Sequence, residues 1–282
     1  MISIIIRAKD EMPWLKYTLR LLKLQERQDY ELICVDSGSQ DGSWELLQES
    51  GAKICYRIKP EDYIPGKVLN QAIAQSSGEI IVFNNADCVP QNRFWLSELV
   101  LPLETDPSMA ASYACQIARP DAHPLVQKDY DRAFGDGSIA ATWKHFFSLA
   151  SSAVRRDLIL QHPFDEDIRY SEDIEWSWRM KGLGYGIGYA KDAKVWHSHN
   201  YNLKQIKKRY LGEGKAEASI YTEHYAEHPE EKSFTRSVLL SAGMETLRDA
   251  AYLLRRGRLD WLPKAPIYRL AQRYYAWKGR NS

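Results

Sequence analysis

The sequence predicts an α/β fold, with a mostly parallel central sheet flanked by helices and a C-terminal helical extension. Three observations carry that expectation. Short apolar runs alternate with segments of helical periodicity along residues 2–103. The apolar runs after which the chain turns polar, at Ile6, Val35 and Phe83, share one end of such a sheet. Beyond residue 200 the strand-like runs stop, and Lys, Arg, Tyr and Trp accumulate. Residues 1–200 are therefore expected to form the main domain, and 201–282 a basic, aromatic-rich helical extension.

Residues 2–6 are apolar almost throughout and fit a buried parallel strand. After the break at 7–13, Trp14, Leu15, Leu19, Leu21 and Leu22 recur at helical spacing. Residues 30–35 form a second strand, closed by the polar turn Asp36-Ser-Gly-Ser-Gln-Asp-Gly-Ser43 before a helix over 44–50. Residues 53–57 suit an edge strand, and Pro65-Gly66 precede a helix over 67–76. A fourth strand at 79–83 ends in Asn84-Asn-Ala-Asp-Cys-Val-Pro90 and leads to a helix over 94–103. A further strand spans 109–117. The pattern weakens from 119 to 144, where Gly135-Asp-Gly-Ser138 suggests a mobile loop, an acceptor-side lid. A small-residue strand over 146–154 precedes a short helix opened by Arg155 and Arg156. Residues 169–181 place Glu172, Asp173 and Glu175 in the first turn of a helix, where the helix dipole favours acids. The glycine run 182–188 ends that helix, and a last strand over 193–196 leads into His197-Ser-His199. In sheets of this kind ligands bind beyond the carboxyl ends of the strands.

Composition narrows the function classes. A net charge of +1 conceals a basic tail: from Arg248 onward nine Lys and Arg face only Asp249 and Asp260. A basic tail behind a mildly acidic main domain is unlike a nucleic-acid binder, whose core fold would carry the basic patch. Cys34, Cys55, Cys88 and Cys115 are too widely spaced for a zinc or redox pair and fit buried thiols in a reducing compartment. No run approaches the roughly 18 apolar residues of a membrane span, and the N-terminal run lacks signal-peptide features. The expectation is a cytoplasmic protein with no nucleic-acid partner, in peripheral membrane contact at most through its C-terminal helices. Leu and aromatic residues mixed with Arg there suit either an interfacial helix on anionic lipid or a helix docked on its own chain.

Five segments, in order, carry a resemblance: the Ser3-Ile-Ile-Ile6 strand, Val35-Asp-Ser-Gly-Ser-Gln-Asp-Gly-Ser43, Gly66-Lys-Val-Leu-Asn-Gln-Ala72, Gly78-Glu-Ile-Ile-Val-Phe-Asn-Asn-Ala-Asp87 and Ser171-Glu-Asp-Ile-Glu-Trp-Ser-Trp-Arg179. Together they resemble the family 2 nucleotide-sugar glycosyltransferases of GT-A fold over roughly residues 1–200. Val195-Trp-His-Ser-His-Asn-Tyr201 with its following basic helix is similar to the bacterial rhamnosyltransferase-like branch.

The resemblance implies an inverting transferase that moves a sugar from a UDP- or dTDP-activated donor to a glycan or lipid-linked acceptor, as in cell-surface polysaccharide synthesis. It places Arg7, Lys9, Asp36, Ser37, Lys67, Asn85 and Ala86 on the nucleotide. Asp36 would accept the base N3–H or a ribose hydroxyl; an Asx turn ending the strand is the alternative. Asp41 fits a cap on the following helix. Lys67 opens a helix, where a cation suits the donor diphosphate, or it is a surface lysine. Asn85-Ala-Asp87 stands where the family has its Asp-X-Asp motif, which makes Asp87 a ligand for Mg²⁺ or Mn²⁺, with His197 completing the shell; a pair of hydrogen-bonded structural histidines, His197 and His199, is the alternative. His199, two positions on, would point the same way on a strand. Asp173 would be the general base, with Glu172 contacting the acceptor or orienting it. Adjacent acids on a helix point about 100° apart and are not expected to share a proton. Trp176 and Trp178 suit a sugar-stacking wall or the core. Two other classes compete. A nucleotidyltransferase needs a glycine-rich triphosphate loop, and residues 3–13 hold no glycine. A non-catalytic nucleotide- or glycan-binding member of the fold draws support from Asn85 and is opposed by Asp173.

Overall fold

The computed structural model describes residues 1–143, 146–225 and 233–282. Its strands are β1 Ile2–Ala8, β2 Tyr30–Asp36, β3 Ile54–Arg57, β4 Ile80–Asn84, β5 Val89–Pro90, β6 Met109–Ile117, β7 Ser151–Arg155 and β8 Gly186–Trp196. Its α-helices are α1 Trp14–Lys23, α2 Ser43–Gln48, α3 Pro65–Ala74, α4 Trp95–Thr105, α5 Pro124–Ala133, α6 Arg156–Gln161, α7 Glu172–Gly182, α8 Leu203–Tyr225, α9 Ser241–Arg255 and α10 Ala265–Arg280. The strands form one sheet in the order β3-β2-β1-β4-β7-β6-β8-β5. The pairs β1–β2, β1–β4, β2–β3 and β6–β8 are parallel. The pairs β4–β7, β6–β7 and β5–β8 are antiparallel.

The apolar runs bury both faces of this sheet, because side chains alternate along a strand. Ile2, Ile4 and Ile6 enter one core with Leu15, Leu19 and Leu22 of α1 and Trp95 and Leu99 of α4. Ile5, Ile33 and Val35 enter a second core with Val68 and Leu69 of α3 and Trp176 and Met180 of α7. Residues 1–119, 130–168 and 172–198 form one compact unit, which we call the sheet unit. Residues 120–129, 169–171 and 199–282 form a second, helical unit.

Several elements differ from the sequence expectation, among them the short strand β5 and helix α5. The strand expected at 146–154 begins only at Ser151, because Phe147 and Leu149 are buried as core side chains on irregular backbone. The last strand begins at Gly186 rather than at 193. The glycine run ends α7 through Gly184 in the left-handed region (φ 90°) and then pairs with β6. Helix α5 was hidden by its polar composition and shows its apolar Pro124 and Leu125 to the interior. At the start of the loop expected as a lid, 135–138, the Tyr189 hydroxyl donates to the carbonyls of Phe134 and Gly135. Lys144 and His145 of the same region, and residues 226–232 of the helical extension, lie outside the described residues.

In the helical unit α10 packs on α8 at backbone distance. A side chain at Gly214 would collide with the Ala276 carbonyl, and one at Gly279 with that of Leu211. Leu125, Leu253, Trp261 and Ala265 form a small core. Arg269 of α10 bridges Asp249 of α9 (Nε–Oδ2 2.7 Å) and Asp129 (Nη1–Oδ2 2.8 Å). Among the described residues no helix is long and apolar enough to cross a membrane.

Candidate active site

The loops beyond the carboxyl ends of β1, β2 and β4 carry most of the expected site residues. Asp36, at the end of β2, is fully enclosed. Its Oδ1 accepts the N–H groups of Gly38 (2.9 Å) and Ser39 (3.0 Å) and pairs with Arg57 Nε at 2.9 Å. This Asx turn fixes the loop, with Gly38 left-handed (φ 87°) against Pro60. The Asx turn offered as the alternative for Asp36 is therefore formed, and its carboxylate lies beneath the turn it organises. Ser37 donates its hydroxyl to the Ala8 carbonyl, and Lys9 donates to the Gly38 carbonyl. Asp41 accepts the Ser43 N–H (3.0 Å) at the start of α2 and the Met12 N–H (2.8 Å). Lys67 is exposed on the first turn of α3.

Arg7 is the centre of the second group. Its Nη1 donates to the Tyr63 hydroxyl (3.2 Å) and lies 3.4 Å from Glu172 Oε1; its Nη2 donates to Asn85 Oδ1 (3.3 Å). The Ala86 N–H donates back to the Arg7 carbonyl, with the Ala86 side chain enclosed. Asp173 opens α7 beside Glu172. Its Oδ1 accepts the Ile174 N–H (2.8 Å) and its Oδ2 the Leu149 N–H (3.2 Å). Burial pushes both carboxyls above the usual carboxylate range. The charge of Asp173 adds to the rise at Glu172, while Arg7 opposes it. The effect between the two acids is one of charge, and each carboxyl keeps its own hydrogen-bond partners. The stacking wall is not formed. Trp176 and Trp178 are buried, and Trp176 donates to the His162 carbonyl and packs on Phe147 and Phe164.

A third group surrounds Asp87, which follows β4. Its Oδ2 lies 3.7 Å from His197 Nε2. Gln116 donates its amide N–H to Ser148 Oγ (2.7 Å), which turns Gln116 Oε1 toward His197 Nδ1 at 2.7 Å. With the Gln116 oxygen and the Tyr130 hydroxyl (3.3 Å) both on Nδ1, Nε2 is the ring nitrogen that faces Asp87. A carboxylate oxygen and an imidazole nitrogen facing each other in this way fit a divalent cation, with further positions left for phosphate oxygens and water. Cys88 Sγ stands in the same cluster. Burial and the charge of Asp87 hold its thiol protonated well above the ordinary range, so it does not suit Mg²⁺ or Mn²⁺. Glu11 is raised to about 8, first by burial and then by Asp87. Arg119 also bonds Asp87 Oδ2, at 2.7 Å. His199 leaves the strand and stacks on Tyr201.

Sequence reasoning missed Arg119, Gln116, Tyr63 and Arg57. Gln116 carried a signal, being polar within the apolar strand 109–117. Arg119 lay where periodicity had faded.

The glycosyl transferase family 2 model matches residues 3–161, more than half of the chain. An O-antigen chain rhamnosyltransferase of Salmonella anatum is 29% identical over 201 residues, which cover 67% of this chain and 63% of that protein. A second, from Salmonella typhimurium, is 27% identical over 207 residues, 70% and 66% of the two chains. The chain thus spans just under two-thirds of the length of these relatives. Among solved structures, a mannosyltransferase of Pyrobaculum calidifontis, in complex with GDP-Man and Mn²⁺, superposes with a TM-score of 0.66 at 18% identity, over 99% of this chain and 85% of that one. Glucosyl-3-phosphoglycerate synthase of Mycobacterium tuberculosis, in complex with Mg²⁺ and UDP, gives 0.56 at 21% identity, over 79% and 78%. At these identities the likeness establishes the fold, which is GT-A. With that fold and the match over residues 3–161, the chain belongs to glycosyl transferase family 2.

Proposed function

We propose that this chain is an inverting glycosyltransferase that moves a sugar from a UDP- or dTDP-activated donor to a hydroxyl of a glycan or lipid-linked acceptor. The observation that carries the reading is the meeting of Arg7, Asn85, Glu172 and Asp173 at the ends of β1, β4 and the start of α7. Asp173 takes the proton of the acceptor hydroxyl, which attacks the anomeric carbon as the bond to the diphosphate breaks. A base raised above the usual carboxylate range has the better driving force for that transfer. Glu172, held by Arg7, orients the acceptor. Lys67 and the loop organised by Asp36, with Ser37 and Lys9, border the nucleotide. Asp87 and His197 would hold a Mg²⁺ or Mn²⁺, which when bound supplies positive charge beside the departing diphosphate. The similarity to O-antigen rhamnosyltransferases supports a role in surface-polysaccharide synthesis and a deoxysugar donor. Thermal unfolding with each sugar nucleotide and Mn²⁺ tests the donor class. A UDP- or dTDP-sugar should raise the midpoint, since a ligand of the folded state stabilises it. A response to GDP-sugars alone would reassign the base.

We propose residues 1–200 as the catalytic domain and 201–282 as a helical extension in peripheral contact with lipid. Met244, Leu247 and Leu254 of α9 are 54%, 73% and 60% exposed, while Ala242, Asp249 and Leu253 are buried. The exposed three share the face away from the buried residues, with Arg248 and Arg255 beside them. An apolar stripe edged by arginines suits an anionic bilayer surface. Leu247→Glu with Leu254→Glu should weaken sedimentation with phosphatidylglycerol vesicles by about tenfold or more, from ~1.5–3 kcal/mol per inserted leucine. Equal sedimentation of the variant and the parent would reject the contact.

A further inference from the structure

We infer that Arg119 is a resident counter-cation on Asp87 that keeps the nucleotide-free site from taking up a divalent ion, so that the ion enters together with a diphosphate. The inference rests on the reading of Asp87 and His197 as a divalent-cation site. Arg119 stands two positions beyond β6 and is 7% exposed. Its Nη2 donates to the Oδ2 (2.7 Å) and the carbonyl (2.8 Å) of Asp87. Its Nη1 donates to the Ser198 carbonyl (2.9 Å), and its own N–H donates to Ser198 Oγ (3.0 Å). The guanidinium lies over the Trp14 ring, 4.1 Å from its centroid. A surface arginine passing by would not be held by a carboxylate, two carbonyls and an aromatic face at once.

The oxygen that Arg119 occupies is the one that faces His197 Nε2. A divalent ion between Asp87 and His197 would therefore share Oδ2 with a fixed positive charge. Two cations on one carboxylate oxygen repel, and in a buried site water screens that repulsion poorly. Asp87, even with the carboxyl of Glu11 nearby, cannot neutralise three positive charges. A nucleoside diphosphate brings the negative charge that restores the balance. Asn85, in place of an acid, works in the same direction by leaving Asp87 as the one carboxylate of the Asn85-Ala-Asp87 segment.

The test is Mn²⁺ binding to the nucleotide-free protein, followed by the electron paramagnetic resonance of the free ion, so that catalysis plays no part. Arg119→Gln should bind Mn²⁺ at least about tenfold more tightly than the parent, and adding Asp87→Asn should abolish the gain. Arg119→Lys keeps the charge but cannot hold Oδ2 and the Ser198 carbonyl together. It should fall between the parent and Arg119→Gln, and it decides the question alone if Arg119→Gln does not fold. Added Mn²⁺ should also raise the unfolding midpoint of the Arg119 variants more than that of the parent. Equal Mn²⁺ affinity in parent and variants overturns the inference and leaves the cation site standing. If none of these proteins binds Mn²⁺ even with UDP or dTDP present, the cation site itself fails, and the inference with it.

Discussion

Asp173→Asn should lower sugar transfer by about 10²–10⁴-fold, the usual contribution of a positioned general base, and leave donor affinity nearly unchanged. The amide keeps the shape of the side chain and its place at the start of α7, and it removes the proton acceptor. Stability provides a second readout. Because burial raises the Asp173 pKa in the fold, its stabilising contribution is complete below the unfolded value of about 3.9 and declines as pH rises through the folded value. At neutral pH the ionised carboxylate therefore costs stability, and Asp173→Asn should unfold at the same temperature as the parent or higher. A merely structural aspartate capping α7 would show the opposite, a lower midpoint with activity reduced in proportion to the folded fraction. The same shift sets the acid limb of kcat/KM. Activity should fall on acidification as Asp173 takes up a proton, at a higher pH than an unperturbed aspartate would give.

Arg269→Ala should destabilise the protein by about 3–5 kcal/mol, the cost of leaving a buried ion-pair partner uncompensated. Asp249 is wholly buried, Arg269 nearly so, and among the described residues Lys128 also pairs with Asp249. The guanidinium makes two bonds to Asp129 and two to Asp249. It thereby ties the segment 120–129 to α9 and α10 within the helical unit. Urea unfolding monitored by tryptophan fluorescence measures the change, since Trp261 lies in the small core of the helical unit. Arg269→Lys should recover only part of the loss, because an ammonium cannot reproduce the planar fork. A loss below about 1 kcal/mol for the alanine variant would mean that Lys128 alone neutralises Asp249.

Where a side chain's role followed from local pattern, the sequence disclosed it. The Ile2–Ile6 run specified a strand buried on both faces, and Glu172 and Asp173 announced the start of α7. Asp87 was legible as the acid left in a loop after a buried strand. What the sequence concealed was long-range. Arg119 and Asp87 are 32 positions apart, and Arg7 and Glu172 are 165 apart. No spacing rule connects such residues; the sheet order does. The Asx turn at Asp36 could be read locally, but its pairing with Arg57, 21 residues on, could not, because that approach depends on β2–β3 pairing. The glycine run 182–188 misled for a different reason. Glycine ends helices well and is poor in strands, but Gly186 and Gly188 lie where the Met109 side chain and Pro102 pack closely on the strand, so that a larger residue would make its neighbours shift.

The most direct test of the central claim is nucleoside diphosphate release from UDP- and dTDP-sugars, in the presence of Mn²⁺ and an acceptor glycan, by the parent and Asp173→Asn side by side. The expected result is release by the parent from at least one donor, and release at least about a hundredfold slower by the variant with the donor bound equally well. Equal release rates for the two proteins, or a parent that neither binds nor cleaves any sugar nucleotide offered, would contradict it.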